Sequence, residues 1–293
     1  MVKDNKLMGM LLGSFAADAF ALGPHWIYDT EKIDDIFGDI NTITNPPKES
    51  FHPTKEKGDF THYGDQSLLL LKFLKNHKEF SIQEFKEAWL KYMESYKGYK
   101  DHATKESIER LRNSETLEGS SSDELGGAAR MAPIIFEFYP DKDKIIKYVA
   151  AETKLTHNNP LVIHMVEFIA KITFKVLEGS SPEEAVLSEK DKAPNSLKNM
   201  IDDALENLQN EPRDVIKNFG QSCGGTHAFP STIYLLVKYQ DSFEKALKHN
   251  VLSGGDSAAR GMILGMILGA YKGQEGIPES WLKDMKAYEE IIS

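Results

Sequence analysis

Residues 253–273 read SGGDSAARGMILGMILGAYKG, and this segment constrains the fold more than any other in the chain. Its two adjacent glycines allow a tight turn, and an Asp or Ser that follows such a turn is a preferred helix N-cap. Asp256 is therefore expected at the start of a helix. That helix carries Gly261, Gly265 and Gly269 at four-residue spacing, on one face. Because each interior glycine costs a helix up to ~1 kcal/mol relative to alanine, the row predicts a partner helix at very close range.

A second row of small residues near the start of the chain supplies the expected partner. Gly9, Gly13 and Ala17 recur every four residues within an apolar segment of helical periodicity. A parallel pairing of the two helices would separate Asp18 from Asp256, whereas an antiparallel pairing would bring them near one another. The sequence leaves both arrangements open.

Helical periodicity also dominates the rest of the chain, and no segment shows the sustained two-residue alternation of a strand. No stretch has the composition of a linker, so we expect one all-α domain over residues 1–293. The amphipathic segments lie at 67–75, 82–96, 107–112, 143–153, 161–178, 182–186, 196–207, 231–239 and 242–250.

Composition excludes several classes of protein. The formal net charge of −10 opposes binding to nucleic acid, whose affinity rests on Lys and Arg. The single cysteine, Cys223, excludes an intramolecular disulfide and a zinc site built from cysteines. The apolar amino-terminal run is interrupted by Asp18, and the apolar run 262–271 is about half the ~20 residues that span a bilayer. We expect a cytoplasmic protein with no membrane or nucleic-acid partner, and the oligomeric state stays open.

The loops between helices carry more Gly, Asp, His and Ser than simple connections need, which is typical of functional loops. Asp65 stands at the mouth of a predicted helix, either as a cap or as a site residue. Around Gly126 and Gly127, backbone N–H groups are free to face an anion such as phosphate, although tight packing explains the glycines equally well. His157 lies in the loop THNNP, where a structural role is the alternative.

Cys223 has His227 four residues further on. Thiolate catalysis requires a base and a positively charged setting, and the sequence supplies only a possible base. A small buried residue is the favoured interpretation.

Taken in order, five motifs resemble the ADP-ribosylglycohydrolase family across nearly the whole chain. They are GMLLGSFAADAFALGP at 9–24, YGDQS at 63–67, SSDELGGAARMAPI at 121–134, THNNP at 156–160 and GGDSAARGMILGMILGAYKG at 254–273. The resemblance implies an orthogonal all-α bundle. It also implies a cleft in which two divalent ions assist hydrolysis of an N- or O-glycosidic bond of ADP-ribose.

This chain departs from the family pattern at the metal ligands. It has YGD at 63–65 where the family carries Thr-Asp-Asp, and DSAA at 256–259 where the family carries Asp-x-Asp-Thr. His25 and Trp26 follow Pro24 where a Glu is common, and SDELGGAAR replaces the Ser-Asn-Gly-x-x-x-Arg segment. These departures resemble the divergent branch that includes the J-crystallins. Mg²⁺ prefers six oxygen ligands, so the remaining residues would hold at most one Mg²⁺ or Mn²⁺. Its expected ligands are Asp65, Asp256 and Ser257.

Three functions follow. The first is a hydrolase of an ADP-ribosyl or related nucleoside conjugate, in which Asp65 and Asp256 act on an ion or a water molecule. The substrate would be bound by Asp18, Asp123, Gly126, Gly127 and His157. The second is a non-catalytic structural or ADP-ribose-binding protein that has lost the metal ligands. The third keeps hydrolysis but performs it by acid–base chemistry of Asp and His without a metal.

Overall fold

Two helices of small residues lie against each other at the centre of the molecule, α1 (Asn5–Ala21) and α14 (Ser257–Lys272). A Cβ placed on Gly13 would lie 2.2 Å from the carbonyl oxygen of Gly265, and one on Gly9 would lie 2.4 Å from that of Gly269. The backbones therefore touch directly, which confirms the partner predicted for the glycine row. Since low numbers in α1 meet high numbers in α14, the pair is antiparallel. Asp18 and Asp256 consequently lie at the same end of it.

The computed structural model describes residues 4–77 and 79–293, and its regular secondary structure is helical. The all-α architecture expected from the sequence is therefore confirmed for the described residues. Within the described ranges the only extended pairing is an isolated antiparallel bridge between Glu124 and Gly224. Besides α1 and α14, the helices are α2 (Thr30–Phe37), α3 (His62–Lys75), α4 (Ile82–Ser95), α5 (His102–Leu111), α6 (Ala132–Phe138), α7 (Lys142–Lys154), α8 (Pro160–Leu177), α9 (Pro182–Lys190), α10 (Asn195–Glu206), α11 (Pro212–Phe219), α12 (Gly225–Lys238), α13 (Phe243–Leu252), α15 (Glu279–Asp284) and α16 (Tyr288–Ile292).

The apolar core is continuous from Leu7 to Ile291 and surrounds α1 and α14. Both central helices are buried on nearly every face, unlike the amphipathic helices around them. The single domain over residues 1–293 stays a prediction. In the part of the chain that the structure describes, no helix combines the length and the apolar character that crossing a membrane requires.

Several helix boundaries differ from the sequence prediction, and two of them bear on the site. The helix predicted at 231–239 begins earlier, because α12 begins at Gly225 and contains Pro230. Proline lacks the N–H that a helix interior uses, so Pro230 is more typical of a helix boundary than of the interior position it has in α12. Asp65 was expected at the mouth of its helix, but Thr61 is the N-cap of α3 and its hydroxyl accepts the N–H of Tyr63 at 3.2 Å. Asp65 lies a turn further in, where its side chain has other partners.

Candidate functional site

Asp256 is held rigidly in the turn that precedes α14. Gly254 and Gly255 have φ of +74° and +72°, values that favour glycine. The buried guanidinium of Arg260 donates to the carbonyl oxygen of Gly254 at 2.6 Å and to Asn250 Oδ1 at 2.9 Å, which fixes the turn from below. The Asp256 carboxylate accepts the N–H of Ala259 at 3.2 Å, so Asp256 is the N-cap, as the sequence indicates.

A second loop is bound to this turn through its backbone. The N–H of Trp26 donates to the carbonyl oxygen of Gly255 at 2.9 Å, and the N–H of Gly255 donates to that of Ile27 at 2.8 Å. Trp26 adopts a φ of +62°, which is unfavourable for a bulky side chain. This backbone pairing places the buried ring of His25 at the start of α14. Its Nδ1 accepts the N–H of Ala258 at 3.3 Å and lies 3.7 Å from Oδ1 of Asp256.

The hydroxyl of Tyr63 completes the surroundings of Asp256, since it donates to Oδ2 at 3.0 Å. Both side chains are buried. Burial raises the pKa of Asp256, and the charge of Arg260 and the hydrogen bonds from Ala259 and Tyr63 only partly oppose the increase. A buried carboxyl with a raised pKa is suited to accept or donate a proton near neutral pH.

Asp18 lies at the same end of the central helix pair but has separate partners. Its carboxylate accepts the backbone N–H of Thr61 at 2.7 Å and the hydroxyl of Thr61 at 2.6 Å. A Cβ on Gly64 would lie 2.3 Å from Oδ2 of Asp18, so the first turn of α3 closes directly over this carboxylate. Burial raises the pKa of Asp18 to about 7 despite these hydrogen bonds. Direct contact of Asp18 with a substrate stays a prediction.

Asp65 is already paired with a cation. Its Oδ2 accepts from the ammonium group of Lys55 and from the hydroxyl of Tyr96. Burial raises its pKa, and the charge and hydrogen bond of Lys55 act against that increase. A metal ion at Asp65 would have to displace or tolerate this lysine. The catalytic role given to Asp65 by the sequence remains a prediction.

The carboxylates therefore do not fit a centre of two magnesium ions. Two adjacent Mg²⁺ ions need several oxygen ligands of uncompensated negative charge. Here Asp65 is neutralised by Lys55, and both oxygens of Asp256 accept hydrogen bonds. The hydroxyl of Ser257 is buried and has no hydrogen-bond partner. A single ion at Asp65, Asp256 and Ser257 stays a prediction.

The loop 121–130 presents Glu124, rather than Asp123, to the interior. The side chain of Asp123 is exposed, while Glu124 accepts from the thiol of Cys223 at 3.0 Å. Oε2 of Glu124 lies 3.9 Å from Nε2 of His157. Burial raises the pKa of Glu124, with a further contribution from the charge of Asp101. The sequence motif located this loop, but its neighbouring acidic residues could not be told apart without the backbone direction.

The two glycines of this loop are accounted for by packing. A Cβ on Gly126 would lie 2.4 Å from the ring of Tyr63, and one on Gly127 would lie 2.9 Å from the ring of His157. His157 itself is buried, its Nδ1 is 2.9 Å from the hydroxyl of Thr156, and burial lowers its pKa to about 3. The ring is therefore neutral at physiological pH. Phosphate binding by Gly126 and Gly127, and sugar binding by His157, remain predictions.

Cys223 is only half-buried, not buried as the sequence analysis favoured. Burial raises the pKa of its thiol, and the nearby charges of Asp256 and Glu124 raise it further. A thiol surrounded by negative charge is a poor nucleophile, because the thiolate is the reactive form. The setting agrees with the absence of a positive environment in the sequence.

A group of three histidines was missed by sequence reasoning. His25, His52 and His62 are each about 1% exposed, and they present ring nitrogens that all lie within 4.8 Å of one another. The only sequence feature that could have indicated this group is His25, which stands at a family position where Glu is common. His52 lies in a loop and His62 at the start of a helix, and nothing in their local sequence relates them to His25. Such residues come together only through tertiary structure.

A cleft of about 330 Å³ opens beside these histidines. Its walls include His25 and Trp26, together with the exposed aromatic rings of Tyr28 and Phe51. This volume lies in the range of small-molecule sites. A larger cavity of about 800 Å³ lies at the opposite end of α1 and α14, beside Asn5 and Lys272. None of the predicted site residues lines that larger cavity.

Comparison with known proteins agrees with this architecture. A solved structure titled ADP-ribosylglycohydrolase-related protein complex superposes with a TM-score of 0.77 at 17% identity, covering 98% of this chain and 94% of that one. Crystallin J1A of Tripedalia cystophora is 21% identical over 96% of this chain and 92% of its own length. ADP-ribosylhydrolase ARH3 of Homo sapiens is 22% identical over 59% of this chain and 56% of its own. The family model described as ADP-ribosylglycohydrolase matches residues 2–293, and this chain therefore belongs to that family.

Proposed function

We propose that this protein hydrolyses a glycosidic bond of an ADP-ribosyl or related nucleoside conjugate. The observation that carries the proposal is the setting of Asp256. Its carboxyl group is buried, has a raised pKa, and is fixed by Tyr63 and by the first turn of α14. Relatives whose names describe ADP-ribosyl hydrolysis support the choice of substrate class.

In this proposal Asp256 is the general base. It takes a proton from the water molecule that attacks the anomeric carbon, while the C–O or C–N bond to the leaving group breaks. The hydroxyl of Tyr63 keeps the carboxylate oriented through its hydrogen bond to Oδ2. Glu124, whose pKa is also raised, is the candidate acid that protonates the leaving group. Paired carboxyls of this kind serve most glycosidic hydrolysis in proteins.

The cleft beside His25 suits a nucleoside. The rings of Tyr28 and Phe51 line this cleft and are 48% and 52% exposed, so a ligand in the cleft can reach them. Aromatic faces stack on nucleobases at about 1–3 kcal/mol per base. Lys32 also lines the cleft, together with the acidic residues Asp29 and Glu49, so the lining gives no net attraction for a phosphate group. A single Mg²⁺ or Mn²⁺ at Asp65, Asp256 and Ser257 is opposed by the charge of Lys55, so no step is assigned to it.

The test is release of ADP-ribose from N-linked and O-linked ADP-ribosyl conjugates by the purified protein, with and without a chelator. We expect turnover by the wild-type protein and a loss of 10²-fold or more in Asp256→Asn, the usual scale for a general base. Asp35→Asn, at an exposed position in α2, is the matched control and should retain full activity.

The result that overturns the proposal is the absence of turnover of every conjugate by folded wild-type protein. Thermal unfolding with ADP-ribose then separates the remaining alternatives. The Tm of a binding protein rises with the logarithm of ligand concentration above the dissociation constant, and that of a purely structural protein does not change.

A further inference from the structure

The three buried histidines come from separate parts of the chain. His25 follows α1, His52 lies in the loop between α2 and α3, and His62 is the first residue of α3. Their ring centroids lie 5.3 Å apart for His25 and His52, 6.1 Å for His52 and His62, and 6.4 Å for His25 and His62. The rings thus form a triangle in which one nitrogen of each ring lies within 4.8 Å of the other two.

The nitrogens of this triangle lack protein partners. Nε2 of His25, both ring nitrogens of His52 and Nδ1 of His62 are buried without a hydrogen bond. A buried polar atom that makes no hydrogen bond costs about 1–3 kcal/mol, so native proteins contain few. Four such nitrogens lie on these three adjacent rings. Each neutral imidazole has one nitrogen with a free lone pair, so the three rings together can bind a ligand that accepts three lone pairs.

Two carboxylates stand behind the rings. Nε2 of His62 is 3.1 Å from Oδ2 of Asp101, and Oδ1 of Asp101 is itself fixed by the N–H of Thr104 at 2.6 Å. A proton on Nε2 of His62 therefore points to Asp101 and leaves the lone pair on Nδ1. Histidines that bind metals almost always donate their other N–H to a carboxylate, a carbonyl or water in this way.

His25 has a comparable neighbour. Its Nδ1 lies 3.7 Å from Oδ1 of Asp256 and accepts the N–H of Ala258 at a long 3.3 Å. Coordination through Nε2 requires the proton to move to Nδ1, where Asp256 is the acceptor. The long contact with Ala258 would be exchanged for a charge-assisted hydrogen bond, which is the stronger interaction.

We propose that His25, His52 and His62 bind one Zn²⁺ ion. Three imidazoles suit zinc, whereas Mg²⁺, Mn²⁺ and Ca²⁺ prefer oxygen ligands. Zinc–nitrogen bonds of 2.0–2.1 Å place tetrahedral ligands roughly 3.3 Å apart, so the nitrogens need to close by at most about 1.5 Å from their 4.8 Å limit.

Three protein ligands leave the fourth tetrahedral position for water or a small ligand, as in zinc sites that are not purely structural. Its three ligands differ from the residues predicted to hold magnesium, although Asp256 would accept the hydrogen bond of His25. Because Asp256 is also the proposed general base, zinc binding is measured separately from turnover.

The test begins with the whole protein treated with a chelator and dialysed. Titration with Zn²⁺, followed by competition against a chromophoric chelator, gives the stoichiometry and the dissociation constant. We expect one ion per chain and a rise in Tm with Zn²⁺ that Mg²⁺ does not produce. His52→Phe should weaken binding by 10²-fold or more. It keeps a ring beside Trp26 and leaves no hydrogen bond broken, because both nitrogens of His52 are unpartnered.

His102→Phe is the control for adventitious binding, since His102 is 85% exposed and lies next to Asp101. Its dissociation constant should equal that of the wild-type protein. Asp101→Asn should weaken binding by 10–100-fold, because it removes the carboxylate that orients His62. The metal-free variants must show the circular dichroism and Tm of metal-free wild-type protein.

If His52→Phe fails to fold, X-ray absorption at the zinc edge of the wild-type protein decides the question. Scattering from three imidazoles supports the site, and a shell of oxygen ligands alone overturns it. The proposal is also overturned if wild-type protein binds no Zn²⁺ stoichiometrically, or if His52→Phe and His102→Phe bind equally well.

Discussion

The close approach of α1 and α14 makes Gly265→Ala a demanding test of the fold. A methyl group at this position would lie 2.2 Å from the carbonyl oxygen of Gly13 and 2.7 Å from Cβ of Ala17. Ordinary contacts begin near 3.4 Å, so the helices would have to separate by about 1 Å. The obstacle at Gly13 is backbone, which has no rotamer to adopt.

The expected loss of stability follows from two opposing effects. Replacing an interior helical glycine by alanine favours the helix by about 1 kcal/mol. Overpacking a well-packed core costs typically 1–3 kcal/mol and occasionally more. Here a backbone carbonyl is the obstacle and both helices are buried on nearly every face, so the upper end applies. We expect a net decrease of about 2 kcal/mol in the free energy of unfolding.

The assay is urea unfolding followed by circular dichroism, with Gly261→Ala as the matched control. Gly261 lies on the same face of the same helix, but the nearest atoms to its added Cβ would be Nδ2 of Asn250 at 3.1 Å, the carbonyl oxygen of Ala17 at 3.6 Å and Cβ of Ala17 at 3.9 Å. The control should be close to wild type in stability. If Gly265→Ala were as stable as Gly261→Ala, the helices would not be in backbone contact and the reasoning would be wrong.

Three further experiments test the buried carboxyl of Asp18, the buried ion pair of Arg130 and the thiol of Cys223. Asp18→Asn should be more stable than wild type by roughly 4 kcal/mol near pH 8 and by little near pH 4. The pKa of Asp18 is about 7 in the folded protein against an ordinary 3.8, so the stability of the wild-type protein falls as pH rises from 3.8 to 7. A stability difference between Asp18→Asn and wild type that does not depend on pH would contradict this. Arg130→Met should lower the free energy of unfolding by about 3–5 kcal/mol at pH 7. It leaves the buried carboxylate of Glu152 without the guanidinium that lies 2.9 Å away in the wild-type protein. The double variant Arg130→Met/Glu152→Met should recover much of the lost stability. Cys223 should react with iodoacetamide near pH 8 at least tenfold more slowly in the folded than in the urea-unfolded protein, since its thiol pKa is raised by burial; equal rates would refute this.

The central helix pair could be predicted from the sequence because glycine destabilises a helix unless close packing compensates. Gly9, Gly13, Gly265 and Gly269 are costly in helices, and only close packing explains the spacing. The direction of the pairing could not be predicted, because a row of small residues fits a partner in either orientation. Short helices such as α2 (Thr30–Phe37) were missed since two turns give too little periodicity to recognise.

The site was predictable where a residue is fixed by its own neighbours in sequence. Asp256 lies in the turn expected for it, because Gly254 and Gly255 determine the backbone there. Asp65 was located correctly on α3, but its pairing with Lys55 depends on a loop ten residues away. The meeting of His25, His52 and His62 depends on how three elements pack. Hydrophobic periodicity carries no information about such a meeting.

The pairing of α1 with α14 also has a consequence for biosynthesis. The ribosome makes α1 more than 200 residues before α14, which supplies its backbone contact partner. At roughly 5–20 residues made per second, the face of α1 that packs against α14 lacks this partner for on the order of ten seconds or more. A nascent chain in that state is a natural client for a chaperone that shields apolar helices. The turn that carries Asp256 is likewise made long after Tyr63, so the hydrogen bond between these two side chains has to wait for the start of α14.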